Sequence, residues 1–470
     1  MVGRQKEQRV LRSLLDSDES VFAAVYGRRR IGKTYLVRKT FGDQFAFAHS
    51  GMSSGKMADQ LESFRNSLVA YGHVSCPVLG GWISAFEELK MLLSSRPTGK
   101  KIVFIDELPW LDTPKSRFIP AFEHFWNSWA AWRDDIVLIV CGSATSWLLN
   151  RFINSRGGLY NRVSHRIRLE PFTLLECEQY AQARQLALDR SQIAEFYMAF
   201  GGVAFYWSLL EKGMSVVQNI DRLFFSEGAP LRDEYRELYR SLFRVPGPYE
   251  RIVTALGTRK SGMCRAEIAH VAGLKDNGAL TKYLEELQQC GFVRRYAAFG
   301  KIGKDAHFQL LDNFTLFHQS FISGTGRRRV HSWSQMVDSH IHSTWKGLAF
   351  ERLCLEHVQQ MKKALGIGGV VTEECSWRGV GLDGQGVQID LLLDRADRVI
   401  NLCEMKCSEG VYALTSEDMD ALKRRKDAVK LVSGNSKSIY LTLVTMHGLV
   451  HNSHWNEIQN EIQLDDLFVM

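Results

Sequence analysis

The chain has 470 residues, of which 45% are hydrophobic and 24% charged, and a formal net charge of +7 from 59 Lys and Arg against 52 Asp and Glu. These are values for a globular protein of about two to four domains, and the charge excess permits a nucleic-acid partner without requiring one. No apolar run long enough for a membrane-spanning helix occurs, the first residues lack a signal-peptide pattern, and nine cysteines without a CxxC pair exclude a disulfide framework or zinc knuckle. The expected location is a reducing cytoplasm, away from any membrane, with Cys141 and Cys403 as buried thiols inside apolar runs.

The first 170 residues alternate apolar runs with longer amphipathic stretches. The runs VFAAVY (21–26), KIVFID (101–106), DIVLIVCGS (135–143) and HRIRLE (165–170) predict buried strands of a parallel sheet, and the helical patterns between them predict α/β layering. Residues 171–244 read as a helical lid, closed by a boundary at Val245-Pro246-Gly247-Pro248. Within 245–322, helical patterns run from Tyr249 to Leu256, Arg265 to Ala272 and Ala279 to Cys290. GFVRRYAAFGK and HFQLLD then predict a β-hairpin, the whole being a winged helix. The last segment, 323–470, opens on SGTGRRR as a linker. It continues with a helix around Trp345 to Gln360, strands VQIDLLLD (387–394) and RVINLCEMK (398–406), and a basic helix from Asp418 to Val429.

Residues 27–34 read GRRRIGKT and fit the pattern GxxxxGK[ST], which average residue frequencies produce roughly 0.02 times in a chain of this length. A strand precedes the motif and a helix-compatible segment follows. Gly27 permits the sharp turn out of the strand, and Gly32 keeps the loop open so that its N–H groups converge on a phosphate. Arg28, Arg29, Arg30 and Ile31 complete the loop. Lys33 supplies charge to the β- and γ-phosphates, and the Thr34 hydroxyl reaches Mg²⁺. At the end of the second run, Asp106 is the expected Mg²⁺ ligand and Glu107 the residue that polarises the attacking water. Ser143, ending the next strand, is the expected γ-phosphate sensor, and Arg156 and Arg162 are the candidates for an arginine finger. The implied cofactors are ATP and Mg²⁺.

Two further sets of residues carry chemistry. In the winged-helix segment, Asn277, Thr281 and Lys282 face outward from the third helix, and Arg294 and Arg295 start the wing, a pattern suited to DNA. In the last segment, Asp390 and Glu404 on adjacent antiparallel strands make a carboxylate pair for Mg²⁺ or Mn²⁺, with Lys406 on the same face as Glu404 to orient a water. Glu351 is a third candidate ligand. The other Glu-x-Lys triplet, Glu88-Leu89-Lys90, reads as a solvated helix face.

Together these motifs resemble the archaeal-type ATPases, in the STAND branch of AAA-like P-loop NTPases. The resemblance is carried by Val2-Gly3-Arg4, GRRRIGKT, FIDELPWL (104–111), GSATSWL (142–148), GGLYNR (157–162) and RLEPFT (168–173). Where the family has Gly-Gly-x-Pro, this chain has Gly201-Gly202-Val203-Ala204. The resemblance implies a P-loop core with a helical lid, then a winged helix, then a restriction-endonuclease-like α/β domain of the PD-(D/E)xK type. Two functions follow. One is an ATPase that gates a metal-dependent DNA nuclease, in defence or mobile-element processing. The other is a STAND-type regulatory switch that binds DNA or protein and keeps an inactive nuclease fold. DNA, a second copy of the chain or a protein partner is the expected macromolecular company.

Overall fold

The computed structural model describes residues 1–143, 145–150, 158–159, 161–243, 245–259, 261–300, 306–323, 332–337, 339–381, 383–434 and 436–469. The chain forms two compact units, one of Met1–Pro171 with Ser241–Arg244 and the other of Phe172–Arg240 with Val245–Met470. Among the described residues no helix is long and apolar enough to cross a membrane.

In the first unit, strands β1 (Val21–Tyr26), β2 (Phe45–Ser50), β3 (Lys101–Asp106), β4 (Ile136–Gly142) and β5 (His165–Arg168) form a parallel sheet in the order β2-β3-β4-β1-β5. Its central strands β1, β3 and β4 are buried almost along their whole length, and their interiors are apolar as expected for a parallel sheet covered on both faces. Helices α1 (Gln5–Ser13), α2 (Lys33–Phe41), α3 (Met57–Ala70), α4 (Trp82–Ser94) and α5 (Phe118–Ser128) accompany it. Phe22, Phe47, Phe64, Trp82, Phe86, Phe118, Phe122 and Trp126 fill one side as a single aromatic-rich core. The four expected strands are present. The fifth, β2, alternates Phe and Ala and ends in His-Ser, a pattern too short and mixed to read from sequence.

In the second unit, the helices Leu174–Ala183 and Arg190–Phe200 begin at side-chain caps. Thr173 accepts from the Glu176 N–H at 3.3 Å and Asp189 from the Gln192 N–H at 2.8 Å. Phe200 stacks on Phe224 and Phe317, and Phe317 meets Trp333 and Trp345, so residues 172–240 share one core with the C-terminal segment. The expected helix over 345–360 is broken at His357 into His340–Glu356 and Val358–Ala364. The His357 ring is buried between Leu174, whose N–H donates to Nε2 at 3.0 Å, and the Leu353 carbonyl, 2.8 Å from Nδ1. That pair of contacts fixes a neutral ring with its proton on Nδ1.

Helices Gly247–Gly257, Arg265–Val271 and Gly278–Gln289 match the three patterns read from the sequence. Strands β6 (Met263–Cys264), β7 (Val293–Ala298) and β8 (His307–Leu310) join β9 (Thr372–Val380), β10 (Gly386–Arg395), β11 (Val399–Lys406), β12 (Ser438–Thr445) and β13 (Asn460–Gln463) in one sheet of eight. Its order is β13-β12-β11-β10-β9-β7-β8-β6. The join is a parallel pairing of β7 with β9, Ala297 opposite Cys375 and Ala298 opposite Ser376, extended by a Phe299 N–H bond to the Ser376 carbonyl at 2.9 Å.

Burial lowers the pKa of His357 from 6.5 to about 4. A base depressed in the folded state contributes stability above its unfolded pKa, and that contribution is lost as pH falls from 6.5 through about 4. The slope contributed by one such ring is at most about 1.4 kcal/mol per pH unit. Denaturant unfolding of the full chain at several pH values between these limits should show this loss in the second unit's transition. His357→Gln should shrink the slope, and an unchanged slope would place the acid sensitivity elsewhere.

Candidate functional site

The loop after β1 turns at Gly27, where φ is +143° and an added Cβ would lie 2.3 Å from the Leu169 carbonyl oxygen. Glycine is needed there on both counts. Arg30 also takes a left-handed φ, and Gly32 at +94° is the N-cap residue of α2. The loop therefore ends against an uncapped helix N-terminus whose N–H groups point into it. Lys33 is buried and curls back, its Nζ donating to the carbonyls of Gly27 at 2.9 Å and Arg28 at 2.7 Å. Arg28 is buried, while Arg29 and Arg30 are partly exposed.

Thr34 Oγ1 donates to Asp106 Oδ2 at 2.7 Å, so the two residues expected to hold Mg²⁺ already meet. The other Asp106 oxygen accepts from the Glu107 N–H at 2.9 Å, and Glu107 itself sits at φ 45°, a strained setting for a residue with a Cβ. Its carboxylate is clamped by Ser143, whose Oγ donates at 2.7 Å and whose N–H donates at 3.2 Å. Ser143 reaches it because β4 lies between β1 and β3 and ends beside both. Behind these groups burial and the nearby Asp106 raise the Cys141 thiol well above its ordinary pKa, keeping it protonated, as expected of a thiol inside an apolar run.

Arg156 lies outside the described residues, and Arg162 is exposed. The Gly201-Gly202 element turns sharply. Gly201 has φ 66°, and a Cβ on Gly202 would overlap the Phe172 carbonyl oxygen at 1.9 Å. The short helix Ala204–Ser208 starts directly after it, so the absent proline does not prevent that helix.

In the second unit, Asp390 and Glu404 flank the β10–β11 pair of Leu391 with Cys403. A run of polar contacts links them. Gln388 Nε2 donates to Asp390 Oδ1 at 2.7 Å, Arg425 Nε donates to the Gln388 carbonyl at 3.1 Å, and Arg425 Nη1 lies 3.1 Å from Glu404 Oε2. Lys406 Nζ then bridges Glu404 Oε1 at 3.4 Å and Asp418 Oδ1 at 3.2 Å, and Tyr412 donates to Asp418 at 2.9 Å. Burial pulls the Lys406 ammonium down, but Glu404, Tyr412 and Asp418 together hold it above its usual pKa, so it is a cation. Glu351 is half-buried on the helix His340–Glu356, and its charge is felt by the buried Arg352, as is that of Asp390.

Two sequence readings need correction. Arg294 does not extend from a wing towards solvent. It lies over the Tyr296 ring at 4.9 Å and donates to Gln309 Oε1 at 2.7 Å and the Asp390 carbonyl at 3.3 Å, lining a cleft of about 60 Å³ with Arg378, Gln388 and Asp390. Asn277 is exposed as expected and also caps its helix, accepting from the Ala279 N–H at 3.0 Å, and Lys282 and Arg295 are the exposed cations of the set. Glu88 is not a solvated helix acid. Its Oε2 lies 2.5 Å from His73 Nε2, and the carboxylate side chain is only 12% exposed. Among the described residues, His73, Cys76 and Glu88 form a group with ligand atoms all within 4.8 Å of one another, whereas Glu351, Asp390 and Glu404 do not.

No family model matches the chain. It is 24% identical over 336 residues to an uncharacterized protein of Methanocaldococcus jannaschii, covering 68% of each. Among solved structures, a Walker-type ATPase of Pyrococcus abyssi superposes with a TM-score of 0.48 at 17% identity, over 68% of this chain and 96% of that one. The ORC2 protein of Aeropyrum pernix gives 0.40 at 13%, over 68% and 93%. A STAND protein with a tetratricopeptide repeat sensor from Pyrococcus horikoshii gives 0.31 at 15%, over 78% and 48%. The first unit has a P-loop NTPase fold, defined by its own parallel sheet, strand–loop–helix motif and acidic strand end.

Gly27→Ala should force the loop away from Leu169 and destabilise the first unit by about 1–3 kcal/mol. Chemical denaturation of the purified chain measures this, and an unchanged midpoint would show that the turn relaxes without cost.

Proposed function

We propose that the first unit binds ATP with Mg²⁺ and hydrolyses it. The supporting observation is the line Thr34–Asp106–Glu107–Ser143, closed by hydrogen bonds at the mouth of the P-loop. The Thr34 hydroxyl and Asp106 carboxylate form an oxygen donor pair that suits a hard cation, which would shield phosphate charge when bound. Lys33 leaves the two loop carbonyls and takes phosphate oxygens in their place. Glu107 accepts the proton of the attacking water, and Ser143 fixes the direction of its carboxylate. The transfer needs positioning and charge stabilisation more than covalent help from the protein.

Glu107→Gln should retain nucleotide while turnover falls by about 100-fold or more, since the amide keeps its shape but cannot take a proton. Lys33→Ala should lose both binding and turnover. Nucleotide titration and steady-state phosphate release on both variants decide the matter, and wild-type turnover in either would refute the assignment.

For the second unit, we propose a winged helix over 245–322 followed by a nuclease-like domain that engages DNA. In this reading Asp390 and Glu404 hold Mg²⁺ or Mn²⁺ and Lys406 orients the attacking water. The proximity of Asp390, Glu404 and Lys406 along one polar run supports it. A second reading, a STAND-type switch whose nuclease-like part only binds nucleic acid, is favoured by one observation. Glu404 is already paired with two cations, Lys406 and Arg425, which lowers its attraction for a metal ion. Asp390→Ala separates the two. Under the first reading, metal-dependent cutting of plasmid or linear DNA is lost while ATP turnover persists. Under the second, wild type does not cut in any metal, with or without ATP.

A further inference from the structure

We propose that His73, Cys76 and Glu88 bind a zinc-type divalent cation, at a site separate from the P-loop and independent of the function proposed above. The three residues come from two places in the sequence. His73 and Cys76 lie on one turn after α3, and Glu88 on the second turn of α4. Several contacts hold that turn. Gly72 adopts φ +99°, the His73 N–H donates to the Leu68 carbonyl at 3.0 Å, and the Cys76 N–H donates to the His73 carbonyl at 3.1 Å. Arg65 Nε then donates to the carbonyls of both Cys76 and Pro77 at 3.0 Å. The three-residue step thus brings imidazole and thiol to the same side, and their ligand atoms and a Glu88 oxygen lie within 4.8 Å of one another.

The donor set selects the ion. Magnesium and calcium take oxygen ligands, whereas a thiolate, an imidazole and a carboxylate together suit zinc. Three protein donors leave a fourth, tetrahedral position for water or an incoming ligand. Cys76 is 2% exposed and belongs to the apolar core with Leu68, Leu79, Trp82 and Leu89, so the site has a dry floor. His73 and Glu88 are 15% and 12% exposed at the side chain, which leaves a route from solvent. The ordinary alternative is an imidazole–carboxylate ion pair that clasps α3 to α4, with the thiol as filler. It predicts that Cys76 can be removed without consequence for metal binding.

The test uses the full chain under reducing conditions with excess Mg²⁺, equilibrated with zinc, desalted over a weak chelator and analysed by mass spectrometry. Wild type should keep about one zinc per chain. Cys76→Ala and His73→Ala should keep about a tenth of that or less, Glu88→Gln should bind about tenfold more weakly, and Cys264→Ala should match wild type. Cobalt added to the wild-type chain should give the charge-transfer absorption of a cobalt–thiolate bond, a readout that needs no variant. Zinc retained equally by Cys76→Ala, no zinc on wild type, or a cobalt spectrum without thiolate character would each overturn the proposal.

Discussion

Parallel pairing of β1 with β4 and of β4 with β3 holds the P-loop, Ser143 and the two strand-end acids together at the C-terminal ends of three adjacent strands. Side chains alone could not fix that arrangement. Thr34 and Asp106 are 72 residues apart and Ser143 and Glu107 are 36 apart, yet both pairs bond at 2.7 Å. The backbone ladders hold them there, and the apolar strands that carry the ladders have no alternative but the interior. The strain at Glu107 and the close approach at Gly27 are both sustained by that rigid frame.

The second unit rests on a different economy. Its helices share aromatic rings across long stretches of sequence, and some of its buried polar groups bond across equally long ones. His357 bonds Leu174 across 183 residues, and Thr315 lies 3.0 Å from Tyr239. Such contacts decide which helices meet, because aromatic packing by itself is tolerant of register.

Much of this was legible in the chain. The loop 27–34 is local, so its glycines and lysine announce themselves at fixed spacing. Strands buried on both faces read as unbroken apolar runs, and β1 and β3 have the bounds those runs suggest. By contrast β9, with Thr372, Glu373 and Glu374 at its start, has mixed burial and no continuous signal. Arg294 reads as a solvent-facing cation because nothing near it in sequence names Gln309 or the Asp390 backbone as partners. Glu88 reads as a solvated acid for the same reason. Its partner comes from a loop in front of the helix, and a Glu-x-Lys triplet carries no record of what approaches it. The break at His357 leaves no Gly or Pro to mark it.

The short weld between β7 and β9 has a mechanical meaning. Two paired residues and one further hydrogen bond make the hairpin and the C-terminal strands a single plate, so a torque applied to one is felt by the other without a hinge between them. The plate is narrow at that seam. Should it part, β7 and β9 would each expose an edge with open backbone donors and acceptors, ready to zip onto any extended strand that presented itself.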